Sequence, residues 1–424
     1  MHNGAVFADF QVPAGISPPE RLVRRDGVSW RSAVWTPTTL GATAAGLVRG
    51  GFPELDTGRL TAAWSEAVAE LRDARSAVRR LLDEPLARLT RLSPRGLAAG
   101  LDAILGGVSG EPAAEVFRRA EGLAGDGRRE LVVIIAASNL PALSVQTLLP
   151  ALALRRPVLI KSASAEPVFA PLFLEALCRR EPRLRAAVAA VTWSGGDREL
   201  EAPLFTRAGK VVAYGGGEAI ADLRVRAGTK LLPYGPKLSL AIVGADTDPA
   251  SIADGLATDV ALFDQRGCLS VQAIYTAGDG VALARALAKA LAAKAKQWPM
   301  GPIDPHLAAG VRQLHGEGAM RRLFQPMLDL RQGTVLVEKD PALKPSPGLR
   351  TVRIHPVADL GEVPALLEPW SRRLQGAALA GADAEALEPA LRELGFSRFA
   401  PPGELQSADA GWHNGGISPL EALA

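Results

Sequence analysis

Residues 131–154 carry no charged side chain, and their order narrows the fold more than any other stretch of the chain. The run is long enough for a membrane-spanning helix. However, Ser138-Asn139-Leu140-Pro141 sets polar groups and a helix breaker near its centre, where lipid offers no partner for freed backbone groups. A partition fits better. Residues 131–137 are rich in β-branched side chains and read as a strand, Asn139-Leu140-Pro141 as a turn, residues 143–154 as a buried helix, and residues 157–161 as a second strand. A strand that returns parallel to its predecessor over a helix is a βαβ unit.

The alternation continues through strands at 189–193, 210–214 and 238–243, which predicts an α/β chain with an open, mostly parallel sheet covered by helices on both faces. Before it, Leu60, Trp64, Val68, Leu71, Val78 and Leu81 recur at helical spacing over residues 57–83, and Ser93-Pro94 reads as the N-cap and first-turn proline of another helix. After it come a helix near 249–263, a strand near 271–275, an alanine-rich helix at 281–296 and strands near 334–337 and 350–354. Residues 340–348 and 400–403 read as loops. A chain of 424 residues with 48% hydrophobic side chains exceeds one ordinary core, so two or three units are expected.

Several function classes are disfavoured. Lys+Arg 48 against Asp+Glu 45 gives a net charge of +3, with basic residues scattered in pairs and aromatics sparse, so nucleic-acid binding is not expected. The two cysteines form no CxxC pair and suit a reducing cytoplasm, and Met1-His2-Asn3-Gly4-Ala5 does not open a signal peptide. The five histidines, His2, His306, His315, His355 and His413, show no metal-ligand spacing, and there is no GxSxG elbow, Walker motif or strict GxGxxG. His413 in Trp412-His413-Asn414-Gly415-Gly416 reads as part of a C-terminal docking turn.

Chemistry-bearing residues fall at strand ends, where ligands of such sheets normally sit. Asn139 follows the first strand, Lys161-Ser162-Ala163-Ser164 ends the second, and Gly215-Gly216-Gly217 leads into a helix whose backbone amides suit a pyrophosphate. Each also has an ordinary reading, as cap, solvated cation or tight turn. Cys178 lies near a helix end and reads as a core thiol. Cys268, in Asp264-Gln265-Arg266-Gly267-Cys268-Leu269-Ser270, sits at a junction between a helix and a strand, and the residues alone leave both an inert thiol and a nucleophile open.

The order Asn139, Lys161, glycine turn, Gly235 and Lys237, then Cys268 resembles the aldehyde dehydrogenase superfamily, and within it the LuxC-like fatty acyl-CoA reductases associated with bacterial luminescence. The likeness runs from about residue 131 to 275, with a weaker echo at Trp412-His413-Asn414-Gly415. The resemblance implies a cofactor domain at 1–240 that includes the N-terminal helices, a smaller α/β catalytic domain at 241–380 carrying the cysteine, and a C-terminal segment at 381–424 that packs back on the first. It further implies Cys268 as nucleophile, Asn139 with the Cys268 backbone N–H as oxyanion donors, Lys161, Ser162 and Ser164 at the adenosine ribose or its phosphate, and Gly215, Gly216 and Gly217 at the dinucleotide phosphates.

Two departures from the superfamily pattern sharpen that expectation. Where aldehyde-oxidising members carry a water-activating glutamate in Glu-Leu-Gly-Gly-Lys, this chain reads Pro233-Tyr234-Gly235-Pro236-Lys237. Without that base an acyl-enzyme persists for thiol exchange or reduction, so acyl transfer with hydride transfer is favoured over hydrolysis. No Glu-x-Phe-Gly-Pro motif follows the alanine-rich helix, and Glu338 is a poor substitute for its glutamate. Lys161 is followed by hydroxyls and by no acid before Glu166, which favours NADPH over NADH. The expected activity is reduction of an acyl-CoA or acyl-protein thioester to an aldehyde by a cytoplasmic homo-oligomer, with an acyl-protein synthetase or acyl-transferase as partner. An acyl-phosphate reductase similar to glutamyl-phosphate reductase, and a non-catalytic protein keeping the fold, are the rival readings.

Overall fold

The computed structural model describes residues 7–123 and 129–424; His2 and the rest of the extreme N-terminus lie outside the described residues. The chain opens with an antiparallel hairpin, β1 (Glu20–Arg25) and β2 (Val28–Ala33). Asp26 and Gly27, at φ 49° and 74°, make its turn. Asp-Gly is the pair that favours two left-handed residues between strands, a signal overlooked in reading the N-terminal third as helical.

Helices follow. Pro94–Gly107 is capped as expected, the Ser93 hydroxyl accepting from Gly96 N at 3.1 Å. The stretch 57–83 instead divides into Thr57–Arg72 and Ala77–Thr90. The break resets the helical phase, so Leu82 is buried while Leu81 is 40% exposed, contrary to its expected place on the apolar face.

Five parallel strands form the first large sheet: β3 (Leu131–Ile135), β4 (Val158–Ser162), β5 (Val188–Thr192), β6 (Ala208–Tyr214) and β7 (Leu231–Tyr234), in the order β5-β4-β3-β6-β7. The helix Val145–Ala153 crosses over between β3 and β4 and is buried at every position but Gln146, which explains its lack of charge. A second sheet takes β8 (Leu238–Val243), β9 (Val271–Thr276), β10 (Phe324–Asp329), β11 (Gly333–Val337), β12 (Thr351–Pro356), β13 (Leu374–Ala380) and β14 (Arg398–Ala400), in the order β10-β11-β12-β9-β8-β13-β14. Only the pair β10 and β11 in it is antiparallel.

One strand changes sheets relative to expectation. Residues 238–243, read as continuing the first alternation, lie between β9 and β13 in the second sheet. All six residues are buried, which an interior strand allows and the half-buried edge at β7 does not. Gly235-Pro236-Lys237 is thus the passage from one sheet to the other. The C-terminal stretch touches both units: β14 extends the second sheet, and the helix Pro419–Leu423 packs on Val145–Ala153 of the first. Among the described residues no helix is long and apolar enough to cross a membrane.

Candidate active site

Cys268 lies on the loop between the helix Pro249–Ala261 and β9, and that loop is strained where it approaches the thiol. Phe263, Asp264 and Gln265 have φ of 54°, 53° and 65°. Three successive left-handed residues with Cβ atoms cost about 1 kcal/mol or more each, so side chains must hold them. The Asp264 carboxylate accepts from Arg350 Nη2 at 2.6 Å and from Gly301 N at 3.1 Å, and both members of the ion pair are fully buried. Gln265 Nε2 donates to the carbonyls of Val271 and Thr351 at 2.8 and 2.7 Å, and its Oε1 accepts from Thr351 N at 2.8 Å. The Phe263 ring lies over Gly100, where a Cβ would stand 2.1 Å from Cε1. The loop geometry is therefore set by residues far away in sequence.

Beyond the loop is a cavity of about 720 Å³. It lies between the carboxyl ends of the first sheet and the Cys268 loop, the position expected of a ligand site in such sheets. Asn139, Lys161, Ser164, Gly215, Gly216 and Cys268 line it together, although they come from four separate segments. Two expected residues do not line it. The Ser162 hydroxyl points into the protein, 2% exposed and without a hydrogen-bond partner, and Gly217 is already the first residue of the helix Gly217–Ala227, with Gly216 as its N-cap. Cys178 is buried and receives a hydrogen bond from Gln11 Nε2 at 3.4 Å, in keeping with a core thiol.

The Cys268 side chain is half-buried, and burial pushes its thiol up to about 11. The backbone amides of Cys268 and Leu269 and the charge of Lys237 act in the opposite direction. Asn139 Nδ2 donates one hydrogen to the Arg266 carbonyl at 3.0 Å, which fixes the amide plane and leaves its second hydrogen available. Lys161 is buried, its ammonium 5.7 Å from the Trp193 ring centroid, and it forms no ion pair among the described residues. Its ordinary pKa is lowered by that burial. Glu166, the first acid after Lys161, turns away from the cavity. Its carboxylate accepts from Val168 N and Phe169 N, both at 2.9 Å, at the start of the helix Phe169–Arg180, and burial raises it to about 7.

Glu338 is also accounted for. It is buried and bonded to Lys344, Arg353 and Arg321, a structural cluster outside the cavity wall.

The wall that faces the thiol from the C-terminal side holds Trp412 and Asn414, from the stretch noted for its weaker likeness, together with Gln375 on β13 and Gln406, which sequence reasoning missed. Gln375 Nε2 donates to Asn414 Oδ1 at 2.7 Å. Lys237, quoted for its place in the passage between the sheets, belongs to the same wall and donates to the Arg372 carbonyl at 3.0 Å. An amide within an otherwise apolar strand was the one available signal for Gln375.

Comparison with known proteins accords with this geometry. A family model described as acyl-CoA reductase (LuxC) matches residues 86–424. A long-chain acyl-protein thioester reductase of Aliivibrio fischeri is 27% identical over 237 residues, 54% of this chain and 50% of that protein. The reductase 2 of the same description from Photobacterium leiognathi is 30% identical over 154 residues, 35% of this chain and 32% of that one. The chain thus aligns with a third to a half of the length of these relatives. Among solved structures, a Mycobacterium tuberculosis aldehyde dehydrogenase complexed with NAD+ superposes with a TM-score of 0.73 at 15% identity, covering 99% of this chain and 96% of that one. An oxidoreductase from Marinobacter aquaeolei gives 0.73 at 13% identity over 97% and 93% of the two chains. These likenesses establish an aldehyde dehydrogenase-type α/β fold, and the match over most of the chain places the protein in the LuxC acyl-CoA reductase family.

Proposed function

We propose that the protein reduces an acyl thioester, carried on CoA or on a protein, to the aldehyde through an acyl-Cys268 intermediate with NADPH as reductant. The observation that carries this reading is the meeting of Cys268, Asn139, Lys161 and the Gly216 helix start around one cavity, with Pro233 in place of a water-activating acid. In this reading the five-stranded unit holds the dinucleotide and the seven-stranded unit presents the thiol.

The residues suit a dinucleotide. The helix Gly217–Ala227 has no side-chain cap at its N-terminus, and no atom lies within 4 Å of a Cβ built on Gly216 or Gly217, so an anion can approach its free amides. Lys161 and the exposed Ser164 hydroxyl supply a cation and a donor for a ribose phosphate, and the Glu166 carboxylate is engaged elsewhere and does not repel one. NADPH, when bound, supplies the hydride that takes the acyl group to the aldehyde level.

The chain's own residues perform the acyl transfer. The Cys268 sulfur forms a bond to the thioester carbonyl carbon, the bond from that carbon to the donor sulfur breaks, and the thiol proton of Cys268 leaves with the donor thiol. The carbonyl oxygen takes hydrogen bonds from the backbone N–H of Cys268 and the free hydrogen of Asn139 Nδ2; a donor of this kind contributes about 3 kcal/mol to such steps. No carboxylate lines the cavity among the described residues, so water there has no general base. The acyl group therefore waits for reduction, and an acyl-protein synthetase or acyl-transferase is the class of partner that would supply it.

Steady-state aldehyde formation from a long-chain acyl-CoA tests this. Cys268→Ser is expected to abolish it, and wild-type kcat/KM is expected to be at least about tenfold higher with NADPH than with NADH. Equal efficiency with both nucleotides would remove the cofactor assignment, and turnover by Cys268→Ser would remove the thiol.

A further inference from the structure

Adjoining the thiol cavity is a second cavity of about 540 Å³, beside the edge strand β14 of the seven-stranded sheet, that no part of the mechanism uses. Trp412 and Gly415 line both. The Trp412 indole is fixed between them, its Nε1 donating to the Ser397 carbonyl at 3.1 Å, and Ser397 N in turn donates to the Gln375 carbonyl at 2.9 Å. The side chains on the two sides of this wall differ in character.

On the thiol side is an amide pair. Gln375 is fully buried; its Nε2 is bound to Asn414, but its Oε1 has no partner. A buried amide oxygen without a donor costs about 1–3 kcal/mol, so a ligand N–H placed there would be strongly favoured. Asn414 accepts through Oδ1 and so has its Nδ2 free to donate. The pair thus offers one acceptor and one donor, the complement of a secondary amide.

Beyond Trp412 the lining turns cationic and aromatic. Arg392 and Arg398 both line the second cavity, with the Arg392 guanidinium 4.8 Å from the Phe399 ring centroid. Arg398 is anchored, its Nε and Nη2 donating to the carbonyls of Leu405 and Glu404 at 2.6 and 2.8 Å, and its remaining nitrogen is left for a ligand. Arg392 pairs with the exposed Glu388, an attachment worth at most about 1 kcal/mol and readily exchanged for a phosphate. Asp409 also lines the cavity; its Oδ1 accepts from Gly411 N at 2.9 Å, and its charge acts on Arg398, so a phosphate there relies on Arg392 as the second cation.

We propose that Gln375, Asn414 and the Arg392–Arg398 cavity form a track for a phosphopantetheine arm, with its amides at the Gln375–Asn414 pair and its phosphate between the two arginines. A thioester at one end, secondary amides along its length and a phosphate at the other end are the features the two cavities take in that order. The inference rests on the thioester reading above and extends it to the carrier. CoA and a carrier protein bear the same arm.

The test measures the rate of Cys268 acylation on the full chain by intact mass, with one acyl chain on five donors: CoA, phosphopantetheine, pantetheine, N-acetylcysteamine and a phosphopantetheinylated carrier protein. Phosphopantetheine is expected to outpace pantetheine by at least about tenfold, a difference of about 1.4 kcal/mol. That ratio should fall close to one in Arg392→Gln, and pantetheine, with its second amide, should outpace N-acetylcysteamine. A CoA donor or a carrier-protein donor that outpaces free phosphopantetheine supports the track and identifies the source. Equal rates for phosphopantetheine and pantetheine in wild type overturn the track while leaving the acyl-Cys268 reading intact. No adduct from any donor overturns both. Because the donor ratios are measured in wild type, a misfolded variant does not decide the outcome.

Discussion

Arg350→Met tests whether the strained loop under Cys268 is held by its buried ion pair. Arg350 Nη2 meets Asp264 Oδ1 at 2.6 Å, and the two side chains are 1% and 3% exposed. Removing the cation leaves the buried carboxylate with the Gly301 amide and a long, 3.9 Å ion pair to Arg266, and breaking a buried pair of this kind typically costs about 3–5 kcal/mol. The three left-handed residues it helps hold carry a strain of similar size, about 1 kcal/mol or more each, so the loop has reason to relax once released. Urea unfolding of Arg350→Met should show a loss in the 3–5 kcal/mol range. Cys268 acylation should fall on the order of 10²-fold, the usual consequence of displacing a nucleophile by about 1 Å. Adding Asp264→Asn removes the stranded charge and should recover at least about 1 kcal/mol of stability without restoring acylation. A single variant within 1 kcal/mol of wild type, or one that acylates at the wild-type rate, would refute the reasoning.

The same loop is tested from its other side by Gly100→Ala, whose Cβ would stand 2.1 Å from the Phe263 ring; a cost of about 1–3 kcal/mol and a lower melting temperature are expected, and an unchanged one would show that the ring moves freely. Because burial pushes the Cys268 thiol up to about 11, its alkylation by iodoacetamide should rise about tenfold per pH unit from 7 to 10, and Lys237→Met should slow it several-fold at each pH. Superimposable profiles would exclude Lys237 as a stabiliser of the thiolate. Burial also raises the Glu166 and Asp259 carboxyls to about 7, from 4.5 and 3.8. Both groups favour the folded state in their protonated form, so their contribution is complete below about pH 4 and is lost as pH rises through 7. Glu166→Gln and Asp259→Asn should each flatten the fall in melting temperature over pH 4–7, and an unaltered slope would contradict the assignment.

How far the fold and site could be read from sequence depends on whether the determining contacts are local. The βαβ unit at 131–161 was legible because a charge-free run broken by Asn139 and Pro141 has few packings open to it. Placing 238–243 in the right sheet required knowing that β13, far along the chain, would flank it. Leu81 misled because the break at 73–76 is made by a capping serine, Ser76, whose effect on helical phase an apolar count does not register. At the site, the order of Asn139, Lys161, the glycine turn and Cys268 was visible since each marks a strand end or loop. Gln375 and Gln406 were not visible because nothing in their own neighbourhood marks them; they acquire meaning only where β13 and the C-terminal turn close over the thiol. The left-handed run at Phe263–Gln265 was hidden for the same reason, as its supports are Gly100, Gly301 and Arg350.

The most direct test of the central claim is the intact mass of the protein after mixing with a long-chain acyl-CoA, before and after addition of NADPH. An acyl-Cys268 intermediate predicts a mass increase equal to the acyl group on wild type, none on Cys268→Ser, and loss of the added mass with release of aldehyde once NADPH is supplied. Failure to form the adduct, or an adduct that NADPH leaves in place, would contradict it.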